Sequence, residues 1–427
     1  MLWTVDSDIY RNHQEIEGII EIIKYTFLKI YRNLCEAIAG GLDQVFIEGG
    51  HTVSVVETLL ASNKKWGSRD RNFIANYLYN AVRYYRLYCY AINIDVITSR
   101  TDSWKLTGAC LINNGYDLPE WPEWEGLDAA AVKEKIASAQ TIRKIKESVP
   151  DWLDERCSAE LGDAWDKELT ALNQPAPLCI RVNTLKATKD SVINFLNAED
   201  IEFSLPEDAP DGIVIHSKKN LRQTYPYKSG WFEVQDISSQ QVAMVLDPKP
   251  GMKVIDACAG AGGKTLHISA LMQGRGEIIA IDIYPDKIKE LENRARRNGV
   301  ENINALPYTK GLVKIYEGEA DRLLLDVPCS ATGVIRRNPD TKWKLTPEAL
   351  DEVITLQQEL LVKYSPMVKQ GGIMVYATCS ILPSENENQI DVFIKGNPDF
   401  EKVEERKISP AESGFDGFYI CKLLKTR

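Results

Sequence analysis

Residues 252–265 read MKVIDACAGAGGKT, an apolar run that breaks into glycines and then into a helix-forming stretch. Its ending, Gly263-Lys264-Thr265, fits a phosphate-binding loop, but Cys258 stands where the first glycine of G-x-x-x-x-G-K-[ST] belongs. The dinucleotide fingerprint G-x-G-x-x-G fails as well, because Gly260 and Gly262 fit while Thr265 fills the third slot. What survives is the local geometry. Gly260, Gly262 and Gly263 let the backbone turn tightly and approach a ligand. The helix behind them offers free N–H groups and roughly half a positive charge, which suits a carboxylate as well as a phosphate.

The flanking segments repeat this texture. EIIAIDI (277–283) is followed by the helical PDKIKELENRARRNG (285–299), and NINAL (302–306) precedes DRLLLDVPC (321–329). PEALDEVITLQQELLVKYSPMV (347–368), with Thr346 as cap and Pro347 at the first helical position, leads into GGIMVYATC (371–379). The runs VID, IIAID, LLLDV and IMVYA suit parallel strands buried on both faces. Regular βαβ alternation predicts an α/β, doubly wound sheet whose ligand crevice lies off the C-terminal strand ends. Asp282 closes one such strand, where a carboxylate can accept both hydroxyls of a ribose. A ligand with a carboxylate and a ribose but no phosphate fits S-adenosylmethionine. A dehydrogenase, or a plain tight turn beside a surface aspartate, are the alternatives the loop leaves open.

Upstream, residues 1–150 read as helical. EIEGIIEIIKYTFLKIYRNLCEAI (15–38) has apolar residues at three- and four-residue spacing. RDRNFIANYLYNAVRYYRLYCYAI (69–92) stacks Ile74, Leu78, Val82 and Tyr85 on one face, with Asp70 as a candidate N-cap. PLCIRVNTL (177–185) and DGIVIHS (211–217) read as strands around the helix SVINFLNAED (191–200), so residues 151–240 form a small α+β module. Residues 241–427 complete a third domain. No internal repeat is present.

Bulk properties narrow the class. With 427 residues, 44% hydrophobic and 26% charged, this is an ordinary multidomain globular chain. No apolar run is long enough to span a membrane, and the first residues do not read as a secretion signal. Nine scattered cysteines and four histidines predict reduced thiols, a cytoplasmic setting and no metal site. A net charge of −10 disfavours nonspecific coating of nucleic acid, although local basic patches decide such binding.

Two cysteines stand apart from the rest. Cys329 in DVPCSATGVIRRNPD and Cys379 in VYATCSILPSENE each follow a strand of the expected sheet, so both can face one crevice. Cys35, Cys89, Cys110, Cys157, Cys179 and Cys421 read instead as buried small hydrophobes. A thiol of ordinary pKa is about 3% ionised at pH 7, so full ionisation costs on the order of 2 kcal/mol. Lys264, Arg336 and Arg337 are candidates to supply it, helped by a helix start that Ser384 and Glu387 mark at capping-box spacing. Such a thiolate can attack an electron-poor ring carbon. A redox pair is the alternative, though no C-x-x-C occurs. Asp326, three residues before Cys329, is placed to bond the amino group and protonated ring nitrogen of a cytosine. Chemistry alone does not rank the two thiols.

At these residues the chain resembles the S-adenosylmethionine-dependent RNA cytosine-5 methyltransferases of the Fmu/Sun/NOP2 group. DACAGAGGKT, LLLDVPCSATGVIRRNPDTKW, VYATCSILPSENE and the terminal DGFYICKLLK resemble its motifs in order and spacing. RVNTL and GWFEVQDISSQ resemble the segment that precedes its catalytic domain, and GSRDRNFIANYLYNAVRYYRLY resembles, more distantly, the NusB-like helical domain of the bacterial ribosomal RNA branch. The resemblance implies a Rossmann-like class I methyltransferase domain, an RRM-like module and a helical RNA-binding domain. It implies Cys379 as nucleophile on ring carbon 6, Cys329 in removal of the carbon 5 proton and in release, and Asp326 at the target base. The cofactor stretch falls on Cys258, Ala259, Gly260, Ala261, Gly262, Gly263 and Lys264, with Asp282 on the ribose and Asp326 close by. Two departures stand out. Ala261 replaces a usual proline, and LPYTKG supplies Tyr308 and Thr309 where the group has an acid near the adenine.

Lys64, Lys65, Arg69, Arg71, Arg83 and Arg86 lie among tyrosines and form a candidate phosphate-contacting face; Arg336 and Arg337, beside Cys329, are better placed to hold RNA. A single-stranded or splayed-out cytosine is the expected target, since stacking hides its ring carbons. The expectation is a monomeric ribosomal RNA methyltransferase. A transfer RNA methyltransferase and a catalytically idle RNA-binding assembly factor are the alternatives, and the intact thiol pair speaks against the latter.

Overall fold

The computed structural model describes residues 29–217 and 219–427. The chain divides into two compact units, one running to Asp151 and including Asn338–Trp343, the other comprising Trp152–Arg337 and Lys344–Arg427.

The first unit is helical, built on Arg32–Phe46, Thr52–Ser62, Ser68–Arg83, Tyr85–Ala91, Arg100–Asn113 and Ala129–Ser138. Residues 15–28 of the first expected helix lie outside the described residues. The second expected helix breaks at Tyr84 into two, yet Ile74, Leu78, Val82 and Tyr85 all face the core. Asp70 is not the cap. Gly67 holds that position, and the Asp70 carboxylate accepts its N–H at 3.2 Å. The segment Asn338–Trp343 is stitched into this unit by polar contacts as well as packing. Lys342 donates to the Arg83 carbonyl at 2.8 Å, and the Trp343 indole to that of Val82 at 2.8 Å.

The second unit starts with a four-stranded antiparallel sheet. Its strands β1 (Leu178–Val182), β2 (Phe203–Ser204), β3 (Gly212–Ile215) and β4 (Phe232–Val234) lie in the order β2-β3-β1-β4. The helix Lys189–Ala198, capped by Thr188, buries Val192 and Leu196 against Ile180, Val182, Ile213 and Phe232. Alternation of small apolar residues along these strands suffices to pin that face.

The larger sheet contains β5 (Lys253–Asp256), β6 (Glu277–Asp282), β7 (Ile303–Pro307), β8 (Ala320–Asp326), β9 (Val368–Thr378), β10 (Phe400–Ile408) and β11 (Phe418–Lys425). Their order is β10-β11-β9-β8-β5-β6-β7. The four strands expected from the apolar runs, β5, β6, β8 and β9, are parallel as anticipated, and β7 at NINAL joins them. The antiparallel hairpin β10–β11 is additional, and its outer strand EKVEERK is mostly exposed and charged, as a protected sheet edge tends to be. Chain order reverses between β5 and its neighbours β8 and β6, so the crevice opens above Asp256, Asp282 and Asp326. Thr346 and Pro347 open the 347–364 helix as expected. Among the described residues no helix is long and apolar enough to cross a membrane.

The small module is locked to the large sheet by buried polar contacts. Glu233 on β4 receives Arg294, Arg297 and Asn298, and Asn183 donates to the carbonyls of Gly230 and Asn298 at 2.8 and 2.9 Å. Burial works against the Glu233 carboxylate, but the two arginines and Asn298 hold it below its ordinary range. Gly230, at φ +75°, allows the approach, since a Cβ there would lie 2.2 Å from the Arg297 carbonyl oxygen. Gly230→Ala is therefore expected to lose about 2 kcal/mol or more through strain and steric overlap. Thermal or denaturant unfolding checks this, and unchanged stability would contradict the contact.

Candidate functional site

The glycine loop leaves β5 and enters the helix Gly263–Leu271. Gly262 has φ +81°, and a Cβ there would strike Leu291, whereas the space beside Gly260 is open. Asp282, at the end of β6, ties the loop down. One carboxylate oxygen accepts the Gly260 N–H at 2.8 Å and the other the Tyr284 N–H at 2.9 Å. An open cradle with a strand-end carboxylate on one side and a helix N-terminus on the other fits a nucleoside that carries a carboxylate tail. Cys258 is packed beneath the loop, and burial pushes its thiol up. Beyond β7, Tyr308 donates its N–H to the Asp282 carbonyl at 2.8 Å, and the Lys363 ammonium lies 3.8 Å from its ring centroid. The position expected to differ from an acid thus presents an aromatic ring backed by a cation.

Lys264 points from the helix start toward β8, where its ammonium meets Asp326 at 2.6 Å. It also sits 5.2 Å from the Phe418 ring centroid. Burial alone would lower the Lys264 pKa, but the charge and hydrogen bond of Asp326, with further help from Cys379, raise it. The ammonium therefore stays charged at the centre of the crevice.

Cys329 and Cys379 are both half-buried free thiols, with their sulfurs 3.1 Å apart. That is hydrogen-bond contact, well outside the roughly 2.05 Å of a disulfide. The hydrogen bond with Cys379 and then burial drive the Cys329 thiol well up, and the charges of Cys379 and Glu385 add to the shift. Cys329 thus keeps its proton, and Cys379 lies on the side of the Lys264 ammonium. Of the other seven cysteines, Cys35, Cys89, Cys110, Cys157, Cys179 and Cys421 are buried, as expected, and Cys258 is partly so.

A residue that the sequence reading passed over organises the two loops. Glu385, fully buried, accepts the Ser330 N–H at 2.7 Å, the Ser330 hydroxyl at 2.5 Å, the Ser380 hydroxyl and the Gln357 amide at 3.1 Å. The signal was a serine directly after each cysteine and an acid within reach. The capping box expected at Ser384 and Glu387 does not form. The helix starts at Glu387 behind Asn386, while Ser384 gives its N–H and hydroxyl to Glu160.

The basic candidates sort by what they touch. Arg336 is buried and donates to the carbonyls of Gly414 and Ala171, and Arg337 pairs with Asp236 and Asp416 at 2.8 and 2.5 Å. Both are committed inside the protein, which corrects the expectation that they hold RNA or assist the thiols. Arg71 bonds the carbonyls of Leu60, Asn63 and Trp66, Arg83 is buried, and Arg86 bonds Val149 and Asp151. Lys64, Lys65 and Arg69 remain exposed. Among the described residues no cluster of metal-ligating side chains occurs.

Comparison with known proteins adds an independent line. Residues 243–424 match the family described as 16S rRNA methyltransferase RsmB/F, and residues 149–228 match the ferredoxin-like domain of RsmF/B-like methyltransferases. The chain is 35% identical over 294 residues to ribosomal RNA small subunit methyltransferase B of Yersinia enterocolitica, covering 65% of this chain and 66% of that protein. A Synechocystis sp. protein, described as a probable enzyme of the same name, is 35% identical over 308 residues, covering 65% of this chain and 67% of its own. The chain thus spans about two thirds of the length of these curated relatives. A solved methyltransferase homologue from Pyrococcus horikoshii is 27% identical with a TM-score of 0.60, covering 66% of this chain and 97% of that one.

One carboxyl in the crevice sets a pH dependence. Asp256 is buried, and desolvation pushes it up to about 7, against the opposing hydrogen bond from Thr265 at 2.7 Å. The folded state then binds this proton more tightly than the unfolded chain. Its contribution is present below about pH 4 and is lost as pH rises through about 7, by up to about 4 kcal/mol. Asp256→Asn is expected to gain stability relative to the parent as pH climbs from 4 to 8. Parallel melting curves across that range check this, and a constant difference would contradict it.

Proposed function

The chain belongs to the 16S rRNA methyltransferase RsmB/F family, and from that premise we propose that it transfers the methyl group of S-adenosylmethionine to carbon 5 of a cytosine in small-subunit ribosomal RNA, through a covalent adduct with Cys379. The observation that carries this reading is the contact of two sulfurs at 3.1 Å, one beside Lys264 and the other beside Glu385. S-Adenosylmethionine, held along the glycine loop with its ribose at Asp282, would supply an electrophilic methyl group.

The protein's own groups divide the remaining work. Cys379, beside the Lys264 ammonium, adds as the thiolate through its sulfur to carbon 6 of the ring. Asp326 at the end of β8 faces the base amino group and holds a proton on the adjacent ring nitrogen, which takes up the electron pair displaced by attack at carbon 6 and gives the proton back when the ring is restored. Carbon 5 becomes electron-rich and would form the new bond to the methyl carbon as the methyl–sulfonium bond breaks, its electron pair leaving on the sulfur of S-adenosylhomocysteine. Once the Cys379 sulfur is bonded to carbon, it no longer carries the charge that kept Cys329 protonated. Cys329 then gives up its proton to solvent, takes the one on carbon 5, and the carbon 6–sulfur bond breaks to restore the aromatic ring. Exposed Lys64, Lys65 and Arg69 are proposed to contact RNA phosphates.

Cys379→Ala is expected to reduce methyl transfer to background. Cys329→Ala is expected to leave protein covalently attached to RNA, visible as a complex that survives denaturing electrophoresis. Full activity in both variants would overturn the assignment. Mapping the modified cytosine in RNA from a strain lacking the protein separates a ribosomal from a transfer RNA target.

A further inference from the structure

Resting on that reading of the site, we propose that Glu385 is a positioning residue: its carboxylate sets the register of the Cys329 and Cys379 loops against each other and thereby governs the release half of the reaction. All four donors that converge on Glu385 are fixed in the two loops or in the helix over them. Ser330 contributes both its N–H and its hydroxyl, and Ser380 its hydroxyl, so the residue that directly follows each thiol is held by one carboxylate. A carboxylate has about four acceptor sites, and here all are used.

A second layer shares the same hydroxyls. Thr332 contacts Ser380 at 2.9 Å and Ser330 at 3.1 Å, the Leu382 N–H reaches the Ser380 hydroxyl at 3.1 Å, and the Tyr376 hydroxyl holds the Glu385 carbonyl at 2.7 Å. Among the described residues Glu385 has no cationic partner, and its four hydrogen bonds are what offset its burial. One side chain thus fixes where both sulfurs stand.

Glutamine cannot replace it. Every partner is a donor, so an amide NH2 would face donors, leave at least one buried group unpaired and let the loops part.

Two measurements on the full chain separate this proposal from the reading it rests on. The first needs no RNA. Diamide removes two electrons and two protons from the thiol pair, forming the Cys329–Cys379 disulfide and the reduced hydrazine, and peptide mapping by mass spectrometry gives the rate. Glu385→Gln is expected to slow closure at least tenfold with S-adenosylmethionine affinity within about threefold of the parent; an unchanged rate overturns the positioning role whatever the protein methylates. The second follows covalent protein–RNA complex and turnover together. Glu385→Gln is expected to lower turnover at least tenfold while the trapped complex accumulates, as in Cys329→Ala. If Cys329→Ala traps the complex and Glu385→Gln turns over like the parent, the role of Glu385 in release is wrong. If Cys329→Ala traps nothing and Cys379→Ala stays active, the covalent reading itself fails. Should Glu385→Gln not fold, the double variant Ser330→Ala with Ser380→Ala removes the two hydroxyl links, and the same slowed closure is expected of it.

Discussion

Parallel pairing of β8 with β9 is the constraint on which the candidate site depends. Asp326 lies opposite Ala377, and the ladder runs one step further through the Val327 N–H to the Ala377 carbonyl. The chain therefore leaves both strands at the same level of the sheet, and Cys329 and Cys379 emerge side by side. A slip of one residue would send alternate side chains to the opposite face and part the thiols. The register is protected because Leu323, Leu325, Met374 and Tyr376 are buried on one side and Leu324 and Val375 on the other. Hydrophobic burial thus does the positioning, and the polar network only finishes it.

Electrostatics then separates two chemically identical groups. Lys264 is carried to the crevice by the helix that the glycine loop starts, and Asp326 anchors it there. Glu385 comes from the turn behind Cys379 and lies against the Cys329 loop. A cation on one side and a carboxylate on the other give the two thiols different surroundings, and the contact with Cys379 together with burial keeps the proton on Cys329.

Much of this was legible in the chain. Uninterrupted apolar runs between amphipathic helices are what a doubly wound parallel sheet requires, and strand-end positions for Asp282, Asp326, Cys329 and Cys379 follow from it. The β10–β11 hairpin was not read. Its outer strand is charged and exposed, so it lacks the apolar run by which the inner strands announce themselves. Arg336 and Arg337 illustrate the opposite difficulty. Adjacent arginines beside a strand-end thiol look like an RNA clamp, but Asp236 and Asp416 pair with Arg337, and the carbonyls of Gly414 and Ala171 take Arg336.

The amino-acid sequence by itself determined the sheet, the glycine loop and the candidacy of two thiols, because periodicity, glycine spacing and strand-end chemistry are local properties. Only the tertiary structure decided which charge faces which thiol and which arginines are already spent. It also brought forward Glu385, whose partners Ser330, Gln357 and Ser380 come from separate stretches of chain. Pairwise electrostatics and buried hydrogen bonds depend on distance in space, and distance along a chain carries almost none of that information until the sheet has formed.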